Sequence, residues 1–113
     1  MAESREQDTA QPIAQNIALG EFTFEVLDES ASPTGGIPVL LLHGFPQDLT
    51  SWDELAAGLR AAGFRTIRPN LRGYSPGARP GEVDAYRMRY LVDDAIALLG
   101  ALDIQRCHVI GHD

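Results

Sequence analysis

The amino-acid sequence predicts an α/β fold with a mostly parallel sheet flanked by helices. Residues 38–42 form a continuous apolar run of strand length, which is typical of a strand that helices cover on both faces. Two amphipathic helical patterns follow, and each leads into another short run of strand length. Because strands and helices alternate in this order in doubly wound sheets, we expect helices on both faces of the sheet.

The N-terminal part of the chain is predicted to be a disordered tail followed by a strand. Residues 1–11 are polar and offer few side chains for burial, so the folded domain is expected over residues 12–113. Residues 21–27 alternate polar and apolar side chains, which is the period of a half-buried strand. We expect this strand to pair with a neighbour in a hairpin, and residues 30–36 to form a turn.

The first helix is predicted to begin at a capping box and to end at Gly63. Ser51 can cap the helix, and Glu54, three residues later, can reach back to the start of the helix. Glycine is the usual residue just past the end of a helix, where the backbone turns left-handed. Four apolar side chains are expected on one face of this helix: Trp52, Leu55, Ala56 and Leu59.

Two further strands are predicted, over residues 65–69 and residues 107–110. Residues 71–80 contain several Pro and Gly and are expected to form an irregular loop. Cys107 is the only cysteine, so it cannot form an internal disulfide. We expect it to be a small buried side chain without a chemical role.

A second amphipathic helix is predicted over residues 86–102, which is long enough to cross a sheet. Asp93 and Asp94 are expected near its exposed side. Four apolar side chains are spaced to lie on its inner face: Leu91, Ala95, Leu98 and Leu102.

The charge of the chain excludes several classes of partner. The formal net charge is −7 and the isoelectric point is about 4.8, so nucleic acid and anionic membrane surfaces would be repelled. No apolar run reaches the roughly 18 residues of a membrane span, and the N-terminus lacks the pattern of a secretion signal. A cytoplasmic location is therefore expected, and no cofactor or metal is expected.

A candidate ligand-binding loop follows the apolar strand, at the edge where open α/β sheets bind ligands. Its sequence is His43-Gly44-Phe45-Pro46. Gly44 removes side-chain bulk, and backbone N–H groups in such a loop can stabilise a developing oxyanion. We expect His43 to order this loop rather than to abstract a proton. A plain turn with a structural histidine is the alternative.

A candidate nucleophile follows the last strand. The sequence Gly111-His112-Asp113 is a Gly-bounded turn after an apolar run, which is how one class of hydrolase presents its nucleophile. A carboxylate that attacks an sp³ carbon leaves an ester that water can open, whereas a serine suits acyl transfer. The turn predicts Asp113 as the nucleophile, although a helix cap would also explain an aspartate here.

These two motifs, together with residues 69–76 (Pro-Asn-Leu-Arg-Gly-Tyr-Ser-Pro), resemble the N-terminal part of the α/β-hydrolases of the epoxide hydrolase and haloalkane dehalogenase group. The resemblance implies the N-terminal half of an α/β-hydrolase fold over residues 12–113. It also implies that Asp113 is the nucleophile and that the Phe45 N–H is an oxyanion donor, with a cis peptide bond before Pro46. Four neighbouring residues are expected to bind the oxyanion or the substrate: His43, Gly44, Pro46 and His112.

The resemblance implies epoxide opening through a covalent alkyl-enzyme ester, which water activated by a histidine then hydrolyses. Phe45 argues against haloalkane dehalogenases, many of which have Asn at this position. The sequence His-Gly-Phe-Pro-Gln also resembles fluoroacetate dehalogenases, whereas the loop over residues 72–77 is closer to epoxide-hydrolase members. Dehalogenation by the same Asp113 is the first alternative, and a non-catalytic fragment or binding module is the second.

The resemblance also places the base histidine, its acid partner and the lid outside these 113 residues. We therefore expect the chain alone to be inactive. Its expected partners are a small-molecule substrate and the C-terminal remainder of the same hydrolase, with a homodimer as an option. The sequence leaves three explanations open. The chain could be a truncated protein, one fragment of an enzyme cleaved at the turn that carries Asp113, or a separate binding module.

Overall fold

The computed structural model of the chain describes residues 14–30 and 36–112. Within these ranges lie five strands: β1 (Gln15–Leu19), β2 (Phe22–Glu29), β3 (Val39–Leu42), β4 (Thr66–Pro69) and β5 (His108–Gly111). The same ranges contain the helices α1 (Asp53–Ala61) and α2 (Met88–Ala101) and the 3₁₀ turns Leu49–Trp52 and Val83–Tyr86. The predicted tail over residues 1–11, most of the predicted turn over residues 30–36, and Asp113 lie outside the described residues.

The strands form one mixed sheet in the order β1-β2-β4-β3-β5. β3 runs parallel to both β4 and β5, as the sequence predicts for the strands that alternate with helices. β1 and β2 form the expected hairpin, with Ile17 opposite Phe24, and β2 also pairs antiparallel with β4. The predicted α/β class is confirmed, and the hairpin makes the sheet mixed at one side.

Two apolar clusters cover the two faces of the sheet. One contains Leu40 of β3 with Leu98 of α2, and the other contains Leu41 of β3 with Ala56 of α1. Successive residues of a strand point to opposite faces, so β3 needs apolar side chains at every position. This double burial explains the continuous apolar run that the sequence shows.

The start of α1 differs from the predicted capping box. Residues Leu49–Trp52 form a 3₁₀ turn, and the Asp48 carboxylate caps this turn by accepting a 2.9 Å hydrogen bond from the Thr50 N–H. The α-helix begins only at Asp53, and no side chain in the described ranges caps its first turn. The predicted cap at Ser51 is therefore wrong, because Ser51 lies inside the preceding turn.

The inner face and the end of α1 agree with the prediction except at Leu55. Trp52 and Ala56 are buried, whereas Leu55 is exposed, because it lies at the margin of the inward face. The helix ends at Ala61, and Gly63 follows with a φ of 98° and an N–H that donates to the Arg60 carbonyl at 2.9 Å. Glycine is needed here because this backbone conformation is strained for other residues.

The second helix is shorter than predicted, and one of its acidic residues is paired. Arg87 has an extended backbone, so Val83–Tyr86 is a separate turn and α2 starts at Met88. Asp94 was expected near the exposed side, but its carboxylate accepts two 2.8 Å hydrogen bonds from Arg72. The loop before the helix supplies this arginine, and a pattern within the helix could not indicate it.

One side of the described structure exposes apolar side chains. Val109 of β5 is 59% exposed, and the facing surface of α2 exposes Met88, Val92 and Ile96. β5 is thus open at Val109, while Ile110 packs partly against the cluster on the α1 face. No helix in the described ranges is long and apolar enough to cross a membrane.

Candidate active site

The register of β3 and β5 brings the two sequence motifs together. Leu42 pairs with Gly111 at the carboxyl ends of these parallel strands, and the His112 N–H donates to the Leu42 carbonyl at 3.4 Å. His43 and His112 therefore leave the sheet side by side. Asp113, the predicted nucleophile, directly follows His112 and lies outside the described residues.

His43 is buried in a defined protonation state. Its Nε2 accepts a 3.0 Å hydrogen bond from the Leu71 N–H, so the ring proton lies on Nδ1, which donates to the Gly44 carbonyl at 3.1 Å. Burial lowers the pKa of His43 below its usual range. A neutral histidine whose two nitrogens are both engaged orders the loop, which is the role expected from the sequence.

The loop after His43 carries the predicted oxyanion donor. The Gly44 carbonyl accepts a 2.9 Å hydrogen bond from the Gln47 N–H, which closes a tight turn. The Phe45–Pro46 peptide bond is cis, as the resemblance implied, and the Phe45 side chain is 80% exposed. Among the described residues, none accepts a hydrogen bond from the Phe45 N–H.

The loop that follows β4 packs against His43. The Tyr74 ring contacts the His43 ring edge to face, with centroids 4.6 Å apart. Asn70, at the start of this loop, accepts a 2.8 Å hydrogen bond from the Leu49 N–H and donates to the Glu25 carboxylate at 2.9 Å. The sequence singled out this segment as a motif, but only the structure shows that it fixes the position of His43.

A cavity of about 610 Å³ opens beside the two motifs. His43, Gly44, Phe45 and His112 are among its lining residues. Apolar side chains of β3, β5 and α2 line the rest, together with the loop after β4, which contributes Arg72. Within the described ranges, no group of three or more His, Cys, Asp or Glu side chains is arranged to hold a metal ion.

The chain matches the family model described as the alpha/beta hydrolase fold over residues 37–113. It belongs to the α/β-hydrolase family. This family assignment confirms the resemblance that the sequence motifs showed, and it covers all three of those motifs.

The relatives of this α/β-hydrolase chain include several epoxide hydrolases. It is 33% identical over 98 residues to the epoxide hydrolase of Caballeronia sordidicola, covering 87% of this chain and 29% of that protein. It is 39% identical over 83 residues to epoxide hydrolase 3 of Siraitia grosvenorii, covering 74% of this chain and 26% of that protein. The chain thus spans less than a third of the length of these relatives.

Solved structures give the same result for the α/β-hydrolase fold. An epoxide hydrolase from an endophytic Streptomyces superposes with a TM-score of 0.80 at 33% identity, covering 90% of this chain and 30% of that chain. An epoxide hydrolase from metagenomes of hot environments superposes with a TM-score of 0.83 at 31% identity, covering 92% of this chain and 34% of that chain. The predicted fold class is confirmed.

One contact in this α/β-hydrolase site was not anticipated from the sequence. The Trp52 indole contacts the His112 ring, with centroids 5.0 Å apart and an angle of 64° between the planes. The sequence indicated only that Trp52 lies on the inner face of a helix. It gave no signal that this face extends to the end of β5, because the two residues are 60 positions apart in the chain.

Proposed function

We propose that this chain is the N-terminal part of an α/β-hydrolase that opens epoxides, with Asp113 as the nucleophile. The main support for the proposal is the pairing of Leu42 with Gly111. Because of this pairing, the loop over residues 43–46 lies beside the residues that lead to Asp113. The names of the relatives support epoxides as the substrate class. A small-molecule substrate and the C-terminal remainder of the hydrolase are the partners that this function requires.

In the first step, a carboxylate oxygen of Asp113 attacks one epoxide carbon. The C–O bond to that carbon breaks, its electron pair moves to the epoxide oxygen, and that oxygen takes a proton from an acid outside this chain. The product is an alkyl ester of Asp113. A carboxylate suits this step because the ester that forms retains a carbonyl group that water can attack.

In the second step, water attacks the carbonyl carbon of the ester. A base outside this chain takes the proton of that water, and negative charge develops on the carbonyl oxygen. In this proposal the Phe45 N–H donates to that oxygen and stabilises its charge, since preorganised donors act most strongly in a site that excludes bulk water. Collapse of the intermediate breaks the bond between the carbonyl carbon and the alkyl oxygen. That oxygen takes the proton of the new hydroxyl group, so the diol leaves and the Asp113 carboxylate is restored. The base returns its proton, through solvent, to the acid of the first step.

His43 does not serve as the base in this mechanism. Its Nε2 lone pair accepts the hydrogen bond from the Leu71 N–H, and burial holds its pKa below the usual range. The resemblance places the base in another part of the protein, and His43 gives no reason to look for it in this loop. This placement agrees with the expectation that the chain alone is inactive.

A single-turnover experiment in H₂¹⁸O tests the proposal. The full-length protein, in excess over styrene oxide, should release a first diol that contains no ¹⁸O, because its new oxygen comes from the Asp113 carboxylate. The heavy oxygen should appear in the peptide that contains Asp113, as measured by mass spectrometry. A first diol that carries ¹⁸O would show direct attack by water and would exclude the covalent mechanism.

The variant Asp113→Asn is the control for the nucleophile. It should reduce the rate of diol formation by several orders of magnitude, because the neutral amide is a poor nucleophile. Halide release from fluoroacetate should be measured on the same preparations. If fluoride is released and styrene oxide is not opened, dehalogenation replaces epoxide opening as the function.

A further inference from the structure

Trp52 lies where the 3₁₀ turn meets α1, and only 8% of its surface is exposed. Its ring packs in the cluster that contains Val39 and Leu41 of β3 and Ala56 of α1. Among the described residues, none accepts a hydrogen bond from its indole N–H. Packing rather than hydrogen bonding therefore fixes the orientation of this ring.

His112 makes both a backbone and a side-chain contact within the described part of the chain. Its N–H donates to the Leu42 carbonyl, which extends the pairing of β3 and β5 by one residue. Its side chain lies two positions after Ile110, so the alternation of the strand directs both side chains to the face covered by α1. There the ring meets the Trp52 indole at a centroid distance of 5.0 Å, in the tilted geometry that aromatic pairs favour.

We propose that Trp52 is a positioning residue for the turn that carries Asp113. The indole fixes the His112 ring and thereby the direction in which the backbone leaves β5 toward residue 113. Direction matters because the attacking oxygen must approach the carbon in line, and a misplacement of about 1 Å can cost roughly 100-fold in rate. This inference rests on the proposed function, in which Asp113 is the nucleophile.

A purely structural role for Trp52 makes a different prediction. If Trp52 only fills the core, its substitution lowers stability, and its effect on rate is independent of His112. If it positions the turn through His112, the effects of the two side chains on the rate of alkylation are coupled. A double-mutant cycle separates these cases, because it isolates the interaction between the two residues.

The cycle uses the full-length protein with Trp52→Leu, His112→Ala and the double variant. The rate constant for forming the alkyl-enzyme ester is measured with styrene oxide in a single turnover. Trp52→Leu should lower this rate constant about tenfold or more, and the two substitutions should be coupled by about three- to tenfold. Trp52→Phe, which keeps an aromatic ring, should restore most of the rate. If the rate constant of the double variant is reduced by the product of the two single reductions, the two side chains act independently and the inference fails.

Phe64→Leu is the matched control. Phe64 belongs to the same cluster, and its ring contacts His108 at the opposite end of β5, with centroids 6.3 Å apart. This substitution should lower the melting temperature and leave the alkylation rate constant unchanged. If it slows alkylation as much as Trp52→Leu does, general loss of packing explains both effects and the inference fails.

A second measurement keeps the inference testable if the full-length protein opens no epoxide. That result would overturn the proposed function. The contact between Trp52 and His112 can still be followed through the side-chain NMR signals of His112, which are assigned by their absence in His112→Ala. Trp52→Leu should shift these signals and speed amide exchange at the end of β5, and Trp52→Phe should change both less. Signals and exchange that do not respond to Trp52→Leu would overturn the positioning role.

Discussion

At the scale of single residues, the site depends on a histidine that is kept neutral. His43 links the loop that follows β3 to the loop that follows β4, through Gly44 on one side and Leu71 on the other. Protonation would place a hydrogen on Nε2, against the Leu71 N–H. The two hydrogen bonds therefore require the neutral ring, and burial lowers the pKa of His43 in the same direction.

This protonation state predicts a loss of stability in mild acid. The folded protein resists protonation of His43, whereas the unfolded chain takes up the proton near the ordinary pKa of about 6.5. The contribution of His43 is thus fully present above that pH and is lost as the pH falls from there toward the lower pKa of the folded state. Urea unfolding of the full-length protein from pH 8 to pH 5 should show this loss.

The variant His43→Gln should flatten that pH dependence, because it removes the titrating group. His108→Gln is the control, since His108 is an exposed histidine on the same sheet. If both variants keep the slope of the wild type, another group is responsible for the loss in acid.

At the scale of elements, a close backbone contact attaches the loop over residues 71–80 to the sheet. The Thr23 N–H donates to the Gly77 carbonyl at 3.0 Å, so this loop lies along β2. A Cβ atom at Gly77 would stand 2.8 Å from the Thr23 carbonyl oxygen. Only glycine fits this approach, because backbone atoms lie on both sides of the contact.

The substitution Gly77→Ala should destabilise the full-length protein by about 1–3 kcal/mol, since the loop must move to relieve the contact. Gly81→Ala is the control, because a Cβ atom there meets nothing within 4 Å. Thermal unfolding should show a lower melting temperature for the first variant only. Equal melting temperatures would mean that the loop moves without cost.

A second contact between elements joins the same loop to α2. The pair of Arg72 and Asp94 is largely buried, with Asp94 17% exposed, and Arg72 also donates to the Ala85 carbonyl at 2.8 Å. Asp94→Ala leaves the guanidinium without its carboxylate and should cost about 3 kcal/mol of unfolding free energy. Urea unfolding of the full-length protein measures this loss.

The exposed pair of Arg87 and Asp84 provides the comparison. Asp84 is 82% exposed, and its carboxylate lies 3.2 Å from Arg87. Asp84→Ala should cost less than about 1 kcal/mol, because solvent weakens an exposed pair. A loss of similar size for both variants would show that burial does not strengthen the pair with Asp94.

At the scale of the whole molecule, apolar clusters cover both faces of the described sheet, but one side of the structure exposes apolar side chains. The α1 face is packed, whereas Met88, Ile96 and Val109 remain exposed around the cavity. Apolar surface of this kind favours association with other chains. The open edge of β5 adds unpaired backbone groups to the same side.

We therefore predict that the isolated 113-residue chain self-associates. Sedimentation velocity should show species larger than the 12.3 kDa monomer, and the double substitution Ile96→Lys and Val109→Lys should reduce them. Val83→Lys is the control, because Val83 is even more exposed than Ile96 and Val109 but does not line the cavity. A wild-type chain that stays monomeric would show that the open side does not drive association.

The sequence by itself determined the class of fold and the positions of both motifs. The apolar run of β3 has the length of a doubly covered strand, and the alternation of strands and helices follows from the hydrophobic period, which is a local property. The same reasoning failed at Ser51 and at Leu55, because short turns and the edges of a helix face depend on neighbours in space. It also failed at Asp94, whose partner Arg72 lies in another element.

Only the tertiary structure decided how the motifs meet. The register that pairs Leu42 with Gly111, the hydrogen bonds that keep His43 neutral and the contact between Trp52 and His112 all join segments that are distant in the chain. A periodic pattern indicates which face of its own element a side chain occupies. It contains no information about which residue of another element packs against that face. That choice is made by packing, where shape and hydrogen bonding select one arrangement among many that satisfy the same pattern.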